Sequence, residues 1–276
     1  MTNNVEYGNR EFLEGEILRT VVGSGVHGIA IEGTDDHDEM GVYIEPPRVA
    51  LGLGLFYTED EKGRKYHSYR QDYIYRTQPE GARSGPGDVD LVVYSLRKYL
   101  SLAMKGNPTA LLPLFAPEES ILIETDLGEN LRQHRDMFLS NSAVHLFLKY
   151  MQDQHERMLG GGKRNRVPDR PELVAKHGWD TKYGSHALRL AYQGHEIATD
   201  GRLTLPLEDE AREHVLAVKR GEIDPNSVST DITRLSNEVE SLLRRGKTPL
   251  PDYANLELID AWSVSAHRGF WDGRVR

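Results

Sequence analysis

Gly23-Ser24-Gly25-Val26-His27-Gly28, followed by Thr34-Asp35-Asp36-His37-Asp38-Glu39 and then Gly41-Val42-Tyr43-Ile44-Glu45, is the stretch on which the reading of this chain turns. The apolar run from Ile17 to Val22 reads as a short buried strand that stops where glycine bends the backbone. The run from Gly41 to Glu45 reads as a second strand, ended by Pro46-Pro47. Because strand side chains alternate, Asp36 and Asp38 on the approach to it project from one face, about 6.6 to 7 Å apart. Two like charges at that spacing repel by roughly 2.5 kcal/mol at an effective dielectric of about 20. A cation between them relieves the repulsion, and hard carboxylate oxygens suit Mg²⁺ or Mn²⁺. An isolated Asp-x-Asp is more often a solvated acidic turn, so its surroundings decide.

Upstream, Gly23 and Ser24 follow a strand and offer backbone N–H groups and a hydroxyl to phosphate. Downstream, Asp88 and Asp90 open a third strand, Val89 to Tyr94. Asp90 begins the apolar run proper and is the expected third acid. Three carboxylates facing a phosphate-gripping turn meet the demands of nucleotidyl transfer. There, two metal ions roughly 3.5–4 Å apart serve the attacking hydroxyl and the leaving pyrophosphate. His37 alternates to the opposite face and is not expected to be a ligand.

The same glycines spell G-x-G-x-x-G, with Glu45 where a dinucleotide fold holds a ribose. Such a fold needs a helix of about ten residues before the next strand. Gly33 and the acidic cluster interrupt the only span available. An NAD-dependent oxidoreductase is therefore a minor alternative.

Ser95 is placed to cap a helix whose apolar positions are Leu96, Tyr99, Leu100, Ala103 and Met104, stopped by Gly106 and Pro108. From about Leu127 the pattern is mostly helical, with stripes near 144–151, 183–195, 208–220 and 231–245. Asp180 is an N-cap for a helix on which Lys182, His186, Arg189 and Gln193 fall within an arc of roughly 60°, opposite Tyr183, Ala187, Leu188, Leu190 and Ala191. Lys182, His186 and Arg189 are the expected counter-charges for a triphosphate. Tyr57, Tyr66, Tyr69, Tyr73 and Tyr75, interleaved with Arg64, Lys65, His67, Arg70 and Arg76, fit a hairpin better than an RNA-stacking surface. Lys163, Arg164 and Arg166 sit in a glycine-rich loop, read as solvated.

Composition sets the outer bounds. The 276 residues include 38% hydrophobic, 8% aromatic and 28% charged residues, enough apolar content for a folded core. With no cysteine, disulfides and thiolate metal sites are excluded. The net charge of −9 argues against a broad phosphate-tracking surface. No run approaches the roughly 18 apolar residues of a membrane span, and the first ten residues are polar. A cytoplasmic protein without membrane association is expected.

The combination of Gly23-Ser24, Gly28, Asp35-Asp36-His37-Asp38 and Gly41-Val42-Tyr43 resembles the nucleotidyltransferases of the DNA polymerase beta superfamily, including those associated with RNA repair. The resemblance continues through Asp90, Tyr94 to Leu100, Lys105-Gly106-Asn107-Pro108, Trp179 to Lys182, His186, Arg189-Leu190, Gly194 to Ile197 and Arg220-Gly221-Glu222. It implies an α+β fold, a minimal nucleotidyltransferase palm with a mixed sheet in residues 1–125, and a helical domain in 126–276 completing the cleft. It also implies Mg²⁺-dependent transfer of a nucleoside monophosphate from an NTP to an acceptor hydroxyl, first an RNA end. On that likeness Gly23 and Ser24 hold the triphosphate and Asp36, Asp38 and Asp90 bind metal. Members usually carry a basic residue near the Gly-Ser turn and after the second acid, where this chain has Gly25 and Met40. A non-catalytic nucleotide-binding regulator is the alternative from another class.

Overall fold

Glu16–Val21 (β1) is buried along nearly its whole length, so it lies inside a sheet rather than at its edge. It runs directly into a single helical turn, Gly23–Val26 (α1), and the chain returns as His37–Tyr43 (β2). The two strands pair antiparallel, with Val21 opposite Glu39 and Thr20 opposite Met40. That pairing, with only one helical turn directly after β1, rules out the parallel crossover unit of a dinucleotide fold. The strand β2 starts four residues ahead of the apolar run, because β6 ladders His37, Asp38 and Glu39 and β1 adds its pairing from Glu39 onward.

The computed structural model describes residues 14–33, 35–52, 55–59, 65–69, 72–78, 82, 84–161 and 170–275, with the backbone alone at 55–59 and 65–69. A short turn, Pro47–Ala50 (α2), leads to a separate hairpin of Leu55–Glu59 (β3) and Lys65–Tyr69 (β4). Asp72–Arg76 (β5) then joins the main sheet beside Val89–Ser95 (β6). β6 runs parallel to β2, and Ile121–Glu124 (β7) closes the other edge, giving the order β5-β6-β2-β1-β7. The sheet is mixed and the protein α+β. On one face Tyr43, Leu91 and Val93 gather Tyr73 and Tyr75, with the Tyr43 and Tyr73 rings edge to face at 5.1 Å. Tyr73 and Tyr75 are partly buried against that cluster. The side chains of Tyr57, Tyr66, Tyr69, Lys65 and His67, together with Arg64 and Arg70, lie outside the described residues.

Leu96–Met104 (α3) is capped by Ser95, whose hydroxyl accepts from Lys98 N at 3.4 Å, and buries Leu96, Tyr99, Leu100 and Ala103. Leu112–Phe115 (α4) and Asp126–Gln133 (α5) pack against β1. The remaining helices are Asn141–Met158 (α6), Pro171–His177 (α7), Thr181–Asp200 (α8), Asp209–Arg220 (α9), Pro225–Arg244 (α10) and Leu256–Trp271 (α11). Lys163, Arg164 and Arg166 lie outside the described residues. The central helix is α8, packed on α6, α9 and α10. Asp180 accepts from the Lys182 and Tyr183 N–H groups and pairs with Arg170 at 3.1 Å, fixing where α8 begins. The last helix returns to the front of the chain. Glu45, 1% exposed, accepts from Leu96 N at 3.1 Å and pairs with Arg97 at 3.1 Å and His267 at 3.2 Å, while Trp271 Nε1 donates to its carbonyl. Glu45 is thus a buried strut, not a ribose acceptor. Among the described residues no helix is long and apolar enough to cross a membrane.

Candidate active site

The parallel ladder places Asp38 of β2 opposite Asp90 of β6. Asp36, two residues before Asp38, joins them, and one oxygen from each of the three half-buried carboxylates lies within 4.8 Å of the others. The expected acids converge, and Asp88 does not. It accepts from Thr77 Oγ1 at 2.8 Å and Gly85 N at 3.0 Å in the turn before β6. Burial, followed by the Asp36 and Asp90 charges, pushes the Asp38 carboxyl up from its ordinary 3.8 to about 6. A divalent cation is the natural remedy for that crowding, and an all-oxygen donor set of this kind fits Mg²⁺ or Mn²⁺. Asp90 is also gripped by Arg76 Nε at 2.8 Å, by Gln78 Nε2 at 3.1 Å and by the Ser84 hydroxyl.

Gly23 abuts this cluster. Its φ of +64° is the left-handed conformation that glycine tolerates, and a Cβ there would collide with the Asp38 carboxylate. Both reasons demand glycine at this place. The Ser24 hydroxyl lines the same cleft, a hollow of about 280 Å³.

Its opposite wall comes from α8 and α9. Lys182, His186 and Arg189 all line the hollow, as the helical spacing predicts. Arg189 Nη1 donates to Gln193 Oε1 at 2.7 Å, and burial brings its pKa down to about 10. His186 is held well below the ordinary histidine value, first by burial and then by Arg189, Lys182, Arg170 and Lys219. Pro108, Thr109, Leu112, Tyr150 and Gln154 supply a less charged side. Two larger hollows, of about 850 and 520 Å³, flank α11 and contain none of the residues discussed for this site.

Lys219, in the last turn of α9, went unread in the sequence. Its side chain is 11% exposed and bonds both Asp35 oxygens, at 2.9 and 2.8 Å, and the Ile29 carbonyl at 2.8 Å. Burial would raise Asp35, yet the Ile31 N–H and Lys219 outweigh it and the carboxyl sits below its ordinary value. Asp35 is therefore engaged by a cation of the chain itself. His37 behaves as alternation predicts, bonding Glu39 at 2.9 Å. Met40 is 6% exposed and belongs to the core. The cations come from helices instead.

The sequence matches the family model described as RlaP, RNA repair pathway DNA polymerase beta family, over residues 10–263. Among solved structures, the chain is similar to a nucleotidyltransferase-like protein from Exiguobacterium sibiricum 255-15. The two share 14% identity and a TM-score of 0.26, covering 83% of this chain and 69% of that one. No curated protein matches it significantly.

Proposed function

The chain belongs to the RNA repair pathway DNA polymerase beta family, and from that premise we propose that it moves a nucleoside monophosphate from an NTP to an acceptor hydroxyl, first an RNA end, releasing pyrophosphate. The observation that carries this reading is the meeting of Asp36, Asp38 and Asp90 beside a cleft lined by Asp36, Asp38, Lys182 and Arg189. In this reading residues 1–125 form the catalytic unit and 126–276 the helical unit that closes the cleft.

Each residue then has a task its chemistry suits. The Gly23-Ser24 turn binds triphosphate oxygens without steric interference, and Lys182 and Arg189 balance the negative charge of the polyphosphate. His186, held neutral, adds a donor without adding charge. Asp36, Asp38 and Asp90 would hold Mg²⁺ or Mn²⁺, which supplies charge neutralisation at the reacting phosphate and a lower pKa for the acceptor hydroxyl. The acceptor oxygen bonds to the α-phosphorus as the bridge to the β-phosphate breaks. The electron pair leaves with pyrophosphate, and the hydroxyl proton passes to Asp90. The net charge of −9 fits a contact with one terminus better than a long RNA footprint.

Incubation with each α-labelled NTP, Mg²⁺ and an RNA bearing a 3′-hydroxyl tests the proposal. Label transfer with pyrophosphate release, abolished in Asp36→Ala, is the expected outcome. Nucleotide binding with no pyrophosphate from any NTP would instead favour a non-catalytic regulator.

A further inference from the structure

His27 caps the C-terminal end of α1, three residues after Ser24, and is 2% exposed, yet it lines the same cleft as Gly23, Ser24, Asp36 and Asp38. Its ring belongs to a hydrogen-bond chain that has only one possible direction. Arg189 carries donors and no acceptor, so its 2.7 Å contact with Gln193 must end on the amide oxygen. That orients the Gln193 amide, itself 1% exposed, with Nε2 toward His27 Nδ1 at 3.4 Å. Since an amide nitrogen only donates, Nδ1 must accept, and the single proton of the ring belongs on Nε2. Nε2 has no protein partner among the described residues. Burial, then the neighbouring Arg189 and His186, hold His27 well below its ordinary value.

We propose that His27 is a substrate-binding residue whose Nε2–H donates to a phosphate oxygen of the nucleotide gripped at the Gly23-Ser24 turn, and that Gln193 is the positioning residue that sets its tautomer and ties it to Arg189. The identity of the ligand rests on the nucleotidyl-transfer reading, whereas the tautomer does not. The arrangement couples the turn after β1 to helix α8 across 166 residues of sequence through one amide. It adds a donor beside Lys182 and Arg189 without adding a further buried charge.

The test uses the full chain labelled with ¹⁵N-histidine. Long-range ¹H–¹⁵N correlation at pH 7 is expected to report the Nε2–H form of His27, and Gln193→Leu is expected to lose that preference while retaining the wild-type helical signal. Addition of a non-hydrolysable NTP analogue with Mg²⁺ is expected to shift His27 Nε2. His27→Phe should weaken binding of the analogue about tenfold, and His27→Gln, which keeps a donor near the same place, should recover most of it. A wild-type chain that binds the analogue while His27 Nε2 stays unmoved, or a His27 proton found on Nδ1, would overturn the proposal and leave the nucleotidyl-transfer reading standing. Failure of the wild type to bind any nucleotide would overturn both, even with the tautomer as expected.

Discussion

Asp38 is crowded by two other carboxylates in a half-buried setting, and its carboxyl rises to about 6 as a result. A proton therefore binds the folded chain more tightly than the unfolded one. Metal-free stability accordingly falls as pH climbs from about 4 through 6, with the full penalty present above that range. Asp38→Asn keeps the shape and removes the charge. In metal-free buffer at pH 7.5 it should be more stable than the wild type by about 1–2 kcal/mol, a gain that vanishes near pH 4. Calorimetry at the two pH values checks this, and a less stable variant at pH 7.5 would refute it. At Gly23 the expectation is the reverse. Gly23→Ala forces a left-handed alanine whose Cβ meets Asp38, so urea denaturation should show a loss of about 1–3 kcal/mol together with weakened divalent-ion binding. Local signals made these residues readable from the chain. Two carboxylates two apart on a strand, a glycine after a strand, and an N-cap aspartate all announce themselves within a few positions. Lys219 does not, because its partner Asp35 is 184 residues away and nothing near Lys219 separates it from any other lysine in a last helical turn. His27 was visible only as a letter of a glycine motif.

At the level of elements, burial and pairing decided what periodicity alone did not. The strand β2 begins at His37 because β6 ladders it from His37 onward and β1 joins from Glu39, overriding the poor strand preference of Asp38 and Glu39. The strand β7, at four residues, and the helix α7, at seven, are too short to show a period. The helices α3 and α8 were legible because Ser95 and Asp180 cap them and an apolar stripe follows each. Glu45 shows how one residue joins elements remote in sequence, receiving α3 at its start and α11 through His267. Burial alone would raise its carboxyl, but His267, followed by Arg97, brings it below its ordinary value. Its contribution is therefore present above the ordinary glutamate range and lost as pH falls through the folded value. Glu45→Ala leaves His267 and the Leu96 N–H without their acceptor. It should cost about 3–5 kcal/mol in urea denaturation at pH 7.5, with α11 loosening first by hydrogen exchange. A change below about 1 kcal/mol would contradict the strut role.

Across the whole molecule, a chain of net charge −9 lines one cleft with Lys182 and Arg189 from a helix and with Asp36 and Asp38 at the start of β2, Asp90 meeting those two acids from β6. The acids are brought together by the parallel register of β2 on β6, which no local pattern specifies. Only the possibility that the third strand lay beside the second could be read in advance. Everything proposed for function depends on those acids sharing one divalent ion. Titration of Mn²⁺ into the full chain, followed by electron paramagnetic resonance, measures this directly. The wild type should bind Mn²⁺, more tightly at pH 7.5 than at pH 5.5, and Asp38→Ala and Asp90→Ala should each lose that binding while remaining folded. Equal Mn²⁺ binding by the wild type and both variants would contradict the account.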